Sequence, residues 1–147
     1  MQTKVPHILY VEDSDDHAEL FLRSLEEGEF EVTVDRAADG EQALDYLYSK
    51  GAYEQGHRAV DMIILDLRMP KLDGLEVLKE IKNSKEYHLI PVVVLTTSNA
   101  ETDRLAAYEY RANAYVVKPI DYDTLVALTE TLKLFWFEFS SPPPRDS

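Results

Sequence analysis

The sequence contains no cysteine, so neither a disulfide framework nor a thiolate metal site is available to it. It is also poor in positive charge, because 15 Lys and Arg stand against 28 Asp and Glu and give a formal net charge of −13. Such a chain repels phosphate backbones and anionic membrane surfaces. No apolar run approaches the roughly 18 residues that a membrane-spanning helix needs. We therefore expect a soluble cytoplasmic protein that has neither nucleic acid nor a membrane as its partner.

What the sequence does contain is an alternation of short apolar runs with helical periodicity, over a length of 147 residues that suits one domain. This alternation predicts a doubly wound α/β fold in which five helices cover both faces of a five-stranded parallel sheet. The second strand, near Val32 and Val34, alternates with polar residues and is expected at an edge. The other strands are expected at Ile8–Val11, Met62–Leu65, Val92–Leu95 and Ala114–Val117.

Polar side chains follow four of these strands directly. They are Glu12 and Asp13, Asp66, Thr96, and Lys118. Because parallel strands end at one edge of a sheet, where open α/β sheets bind ligands, we expect these side chains to meet. Three carboxylates with little compensating charge repel one another and favour a hard divalent cation, and Mg²⁺ suits carboxylates, waters and phosphate oxygens.

Such a cluster can support phosphoryl transfer to a carboxylate. With Mg²⁺ bound, Asp66 can act as a nucleophile toward phosphorus and become an acyl phosphate, while Lys118 offsets charge on the equatorial oxygens. The Thr96 hydroxyl could donate a hydrogen bond to the remaining oxygen.

The motifs around these residues resemble those of the response-regulator receiver domains of two-component signalling, over essentially Pro6 to Glu138. The resemblance rests on order and spacing: Asp66 precedes Thr96 by 30 residues, and Thr96 precedes Lys118 by 22. The motifs are VED at Val11–Asp13, DLRMPKLDG at Asp66–Gly74, LTTS at Leu95–Ser98 and VKP at Val117–Pro119. The resemblance implies a flavodoxin-like receiver fold with the strand order 2-1-3-4-5.

The resemblance also implies a role for each site residue. Asp66 is the phosphoacceptor, Asp13 a direct Mg²⁺ ligand, and Glu12 an outer ligand that acts through water. Arg68 contributes its backbone carbonyl to the metal. Lys118 pairs with Asp66 or its phosphate, and the Lys118–Pro119 peptide bond is expected to be cis.

A conformational switch is expected at Thr96 and Tyr115. Phosphate would draw the Thr96 hydroxyl inward, and Tyr115 would turn into the space that this leaves, unless Tyr115 only packs at the sheet edge. Thr97 belongs to the phosphate-binding group but stands where many receivers carry Ala, Gly or Ser. We expect its extra methyl group to hinder access of water or a small phosphodonor to Asp66.

Within the family, the sequence is most similar to single-domain regulators that partner cyanobacterial and bacterial phytochromes. The features are a long loop at Gly51–Val60, TTS at Thr96–Ser98 and NAYVVKPID at Asn113–Asp121. The expected function is to accept a phosphoryl group from a phosphohistidine of a sensor kinase, a phytochrome, with output through protein contacts or relay to a phosphotransfer protein. Two alternatives remain open: a small phosphohydrolase with an aspartyl-phosphate intermediate, and an interaction module that works without phosphorylation.

The C-terminal helix predicts an assembly. Leu125, Leu128, Leu132, Phe135 and Phe139 form an expected inward stripe, and the dimer surface is expected at Val126, Leu134, Trp136 and Phe137. We expect a homodimer through the fourth helix, fifth strand and fifth helix, unless the tail covers these residues.

The domain is expected to span residues 1–139, followed by a Pro-rich tail at 140–147. The four histidines show no metal-ligand spacing and are expected at the surface or in loops.

Overall fold

A computed structural model describes residues 5–144, so Met1–Lys4 and the tail residues Arg145–Ser147 lie outside the described residues. All five strands are parallel, and their order is β2-β1-β3-β4-β5. The predicted fold class and strand order are confirmed, with β2 at an edge. The strands are β1 (His7–Val11), β2 (Thr33–Ala37), β3 (Met62–Leu65), β4 (Val92–Thr96) and β5 (Ala114–Val117). The helices are α1 (Asp15–Glu26), α2 (Gly40–Leu47), α3 (Gly74–Lys82), α4 (Glu101–Glu109) and α5 (Tyr122–Lys133).

The core consists of two layers, because successive side chains of a strand point to opposite faces of the sheet. In β3, Ile63 and Leu65 face the layer that contains residues of α2, α3 and α4. Met62 and Ile64 face the layer that contains residues of α1 and α5. The central strands β1, β3 and β4 are buried at every position because both faces of the sheet are covered.

A π-helix (Leu134–Phe139) continues α5 and changes which aromatic side chains face the core. The prediction that Phe135 and Phe139 point inward is wrong, since they are 52% and 75% exposed. Trp136 and Phe137 instead pack against the α1 and α5 layer. In a π-helix, backbone hydrogen bonds join residues that are five apart in the sequence. The side of the helix that holds Leu132 is therefore next occupied by Phe137, and not by Phe135 as α-helical spacing predicts.

The beginning of the tail lies beside these aromatic rings. Residues 140–143 line a cavity of about 480 Å³ together with Trp136 and Phe137, near the amino ends of the strands. The tail therefore lies next to Trp136 and Phe137, two residues that were predicted to form a dimer surface. Among residues 5–144, no helix has both the length and the apolar character needed to cross a bilayer.

Candidate functional site

The phosphoacceptor candidate, Asp66, is the first residue after the buried strand β3, and only 7% of it is exposed. Its backbone N–H donates to the Val11 carbonyl at 3.0 Å, so the sheet ladder extends to this residue and fixes its position. The chain returns close to it at Gly74, where any Cβ would collide with the Asp66 carbonyl oxygen. Glycine at this position is therefore what allows α3 to begin directly against the site.

A cluster of three carboxylates forms at this edge of the sheet. One oxygen from each of Glu12, Asp13 and Asp66 lies within 4.8 Å of the other two. Glu12 is buried, and burial raises the pKa of its carboxyl group, although the hydrogen bond from Lys118 opposes that shift. An all-oxygen donor set with this much negative charge fits Mg²⁺. The predicted proximity of the three acids is thus found.

Lys118 bridges two of these acids. Its ammonium donates to Glu12 Oε1 at 2.6 Å and to Asp66 Oδ2 at 3.1 Å. Its backbone N–H donates to the Thr96 carbonyl at 2.8 Å, which places it at the end of β5. The prediction of a cis Lys118–Pro119 bond is wrong, because the bond is trans. Trans is favoured by about 0.5–1 kcal/mol for X–Pro bonds, and the ammonium reaches both carboxylates from this geometry.

Three successive residues at the carboxyl end of β4, Thr96–Ser98, carry hydroxyl groups. Thr96 is fully buried, and its Oγ1 accepts a hydrogen bond from the Ser98 N–H at 3.3 Å. Thr97 is exposed and lines a cavity of about 300 Å³ together with Lys118. Tyr115, the predicted switch residue, is half-buried and donates its hydroxyl to the Ser98 carbonyl at 3.0 Å. Tyr115 thus already packs against the core beside this segment.

Arg68 connects the site to α4, which the sequence did not predict. Its N–H lies 3.5 Å from Asp66 Oδ1, while its guanidinium Nη2 lies 2.6 Å from each carboxylate oxygen of Asp103. Asp103 is buried and also accepts a hydrogen bond from the Ser98 hydroxyl at 2.6 Å. No spacing in the sequence pairs residue 68 with residue 103, because only the fold brings α4 over the loop after β3.

Two of the histidines have roles that sequence reasoning missed. His17 Nδ1 lies 2.8 Å from the Lys118 ammonium, at the mouth of the site. The expectation of a surface or loop position is wrong for His7, which is 2% exposed in β1. Its ring bonds to Thr33 Oγ1 at 2.7 Å and to the Tyr46 hydroxyl at 2.8 Å, and burial lowers its pKa. The apolar run that begins at the next residue, Ile8, was the available signal.

The predicted dimer residues are not equally accessible. Leu134 is 41% exposed and Val126 is half-buried, whereas Trp136 and Phe137 pack toward the core. The exposed aromatic residues of this segment are Phe135 and Phe139.

Comparisons with known proteins agree with the geometry of the site. Residues 8–130 match the response regulator receiver domain family. The chain is 38% identical to the response regulator Rcp1 of Synechocystis over 92% of each protein. It is 42% identical to a probable methanogenesis regulatory protein, FilR2, of Methanothrix harundinacea, over 92% of this chain and 86% of that protein.

Solved structures give the same result. The Mn(2+)-bound form of Rcp1 superposes with a TM-score of 0.86 at 37% identity, covering 95% of this chain and 99% of that one. The phosphorylated cyanobacterial phytochrome response regulator RcpA superposes with a TM-score of 0.89 at 34% identity, covering 96% of this chain and 100% of that one. By sequence match, strand order and site geometry, this chain belongs to the response regulator receiver domain family and is similar to phytochrome response regulators.

Proposed function

We propose that this chain is a single-domain response regulator that accepts a phosphoryl group onto Asp66 from a phosphohistidine of a sensor kinase. The observation that carries the proposal is the contact of the buried Asp66 carboxylate with Lys118 at 3.1 Å, within a cluster of three acids. Similarity to the phytochrome response regulator RcpA supports a phytochrome as the sensor, and we propose the cytoplasm as the location. We assign residues 1–139 to the receiver and 140–147 to the tail.

In the proposed reaction, an Asp66 carboxylate oxygen attacks phosphorus and forms a P–O bond. The P–N bond of phosphohistidine breaks with its electron pair moving to the ring, and imidazole leaves as a neutral group because its other nitrogen carries a proton. Lys118 holds the attacking carboxylate in place and offsets charge on the transferred oxygens, and we assign the Thr96 hydroxyl as the donor to the remaining phosphoryl oxygen.

We assign Mg²⁺ binding to Asp13, Asp66 and the Arg68 carbonyl, with Glu12 acting through water. When bound, the ion supplies positive charge to the phosphoryl oxygens and reduces repulsion between the carboxylates. The carboxylate oxygens of Glu12, Asp13 and Asp66 are close enough together to make this assignment physically sound.

A phosphohydrolase is the first alternative, since it would share the nucleophile and the metal. Such enzymes usually need a second acid two residues after the nucleophile, whereas this chain has Arg68 there, with its guanidinium on Asp103. We therefore propose that the chain is a phosphoacceptor and not a multiple-turnover enzyme. The second alternative, a module that works without phosphorylation, does not explain why three carboxylates are held together beside a lysine.

Incubation with Mg²⁺ and acetyl phosphate distinguishes these functions. We expect about one phosphoryl group per chain in intact-mass measurements, lost in Asp66→Asn and retained in the matched variant Asp73→Asn, in the turn before α3. Many turnovers of released phosphate would support the hydrolase, and no modification of the wild type would support the module. Phosphotransfer from candidate phytochrome kinases then tests the partner.

We also propose output through a homodimer, with relay to a phosphotransfer protein as a further route. Leu134, Phe135 and Phe139 of the π-helix and Leu105 and Tyr108 of α4 are exposed apolar side chains, which a second copy would cover. Sedimentation should show a dimer at micromolar concentration, weakened in Phe139→Glu but not in Leu20→Glu on α1. A monomer with and without beryllofluoride would reject the dimer.

A further inference from the structure

Among the residues that the structure describes, the shortest ion pair that does not involve Lys118 connects the loop after β3 with the first turn of α4. Asp103 is 7% exposed, and its carboxylate accepts from the Arg68 guanidinium and from the Ser98 hydroxyl, each at 2.6 Å. These two partners lower the pKa of Asp103, the Ser98 hydrogen bond contributing most. The Arg68 side chain is 60% exposed, but the carboxylate is buried and has two short contacts, which makes Asp103 a defined anchor for the guanidinium.

This anchor decides where the positive charge of Arg68 lies. The backbone of Arg68 is already at the site, because its N–H is 3.5 Å from Asp66 Oδ1. Asp73 is the other carboxylate whose charge acts on the guanidinium, and the three acids of the site lie beside the Arg68 backbone, so loss of Asp103 would leave the side chain free to turn toward them. An arginine paired there would add a fixed cation where a divalent ion must bind.

We propose that Asp103 is a positioning residue, which holds the Arg68 guanidinium away from the Asp66 carboxylate and so keeps the acid cluster available to a divalent cation. This inference rests on the proposed function of the site but concerns a residue that does not touch the reacting atoms. The inference also has a regulatory consequence, because any partner that displaces the first turn of α4 changes the affinity of the site for the metal. Coupling between two binding sites is reciprocal, so the metal then changes the affinity of the protein for that partner by the same factor.

Asp103→Asn is the appropriate test, because asparagine keeps the size of the side chain and an oxygen for the Ser98 hydroxyl. It removes the negative charge and offers the guanidinium an amide donor instead. Glu101→Gln is the matched control, since it makes the same change in net charge in the same turn of α4 at an exposed position. Mg²⁺ affinity is measured by calorimetric titration, with Mn²⁺ binding followed by electron paramagnetic resonance as a second method.

We expect the dissociation constant for Mg²⁺ to rise on the order of tenfold in Asp103→Asn and by less than about twofold in Glu101→Gln. Adding Arg68→Gln to Asp103→Asn should restore the affinity, because the side chain that blocks the site is then neutral. Circular dichroism checks that each variant is folded. Asp103→Ser is a second variant, in which the same loss of Mg²⁺ affinity is expected and which serves if the asparagine amide of Asp103→Asn disturbs the fold.

Two results would overturn the inference. One is an unchanged dissociation constant in folded Asp103→Asn and Asp103→Ser. The other is a loss that persists when Arg68 is also neutralised, because the effect would then not pass through the arginine. Wild-type protein that binds no divalent ion would instead refute the metal site of the proposed function, so the two failures are distinguishable.

Discussion

Replacing Lys118 with methionine should destabilise the metal-free protein far more than any surface lysine does. The Lys118 ammonium is the shared partner of Glu12 and Asp66, whose side chains are 1% and 9% exposed. Removing one member of a buried ion pair costs about 3–5 kcal/mol, because the remaining charge has lost its partner. We take about 3 kcal/mol at pH 7, since Asp66 lies at the mouth of the site and can reorient toward water.

The loss should also depend on pH. Burial raises the pKa of Glu12, so the folded state binds this proton more tightly than the unfolded state does. This contribution of proton binding to stability is therefore complete below the unfolded pKa of 4.5 and is lost as pH rises through the pKa of the folded state. Without the lysine, which lowers the Glu12 pKa, this decline should be steeper and extend to higher pH.

Urea unfolding with EDTA, followed by the fluorescence of Trp136, measures the effect. A loss of about 3 kcal/mol corresponds to a fall in Tm of roughly 6–12 °C for a chain of this size. Lys85→Met is the control, because Lys85 is exposed. Mg²⁺ should recover part of the loss, about 1.4 kcal/mol at ten times its dissociation constant. Equal stability of the two variants in EDTA would show that Lys118 does not neutralise the buried acids.

Three further changes test separate parts of the structure. Thr97→Ala should speed autodephosphorylation several-fold, measured as the decay of phosphorylated protein with Thr124→Ala as a control; unchanged or slower decay would reject the role of the methyl group. Lys133→Met should cost about 2–4 kcal/mol in urea unfolding against Lys85→Met, because three backbone carbonyls lose a buried donor. Burial lowers the pKa of His7, so the stability it contributes should be complete above its unfolded pKa of 6.5 and be lost as pH falls below it. A urea series across that range should flatten in His7→Gln, and a persistent slope would assign the effect to another group.

The fold and the acid cluster were predictable because they depend on local patterns. Glu12 and Asp66 directly follow the buried apolar runs Ile8–Val11 and Met62–Leu65, and Lys118 follows the half-buried run of β5. Parallel topology then brings their side chains to one edge. The contact between Asp103 and Arg68 was not predictable, because it joins two side chains that are 35 residues apart in the sequence, one in a loop and the other in a helix.

The end of the C-terminal helix shows a different limit. The residues from Leu125 to Leu132 followed α-helical spacing, but the π-helix shifted the later side chains, so Phe135 and Phe139 turned outward. Periodicity assumes a constant number of residues per turn. Six residues, LFWFEF, include three phenylalanines and a tryptophan, so every face of this segment is apolar and the sequence alone could not choose between them.

The buried lysines at the two edges of the sheet donate to different kinds of acceptor. Lys82 and Lys133 lie toward the amino ends of the strands and donate almost entirely to backbone carbonyls, with the Asn113 amide oxygen as a further acceptor. None of these hydrogen-bond acceptors can change its charge, although the Glu130 carboxylate lies 3.2 Å from the Lys133 ammonium. Lys118, at the carboxyl ends, donates instead to two carboxylates. Both of these acceptors can be protonated, and in the proposed function Asp66 is also phosphorylated. We therefore expect a change at Asp66 to reach Lys118, the Arg68 loop and α4, while the lysines at the amino ends keep their backbone contacts.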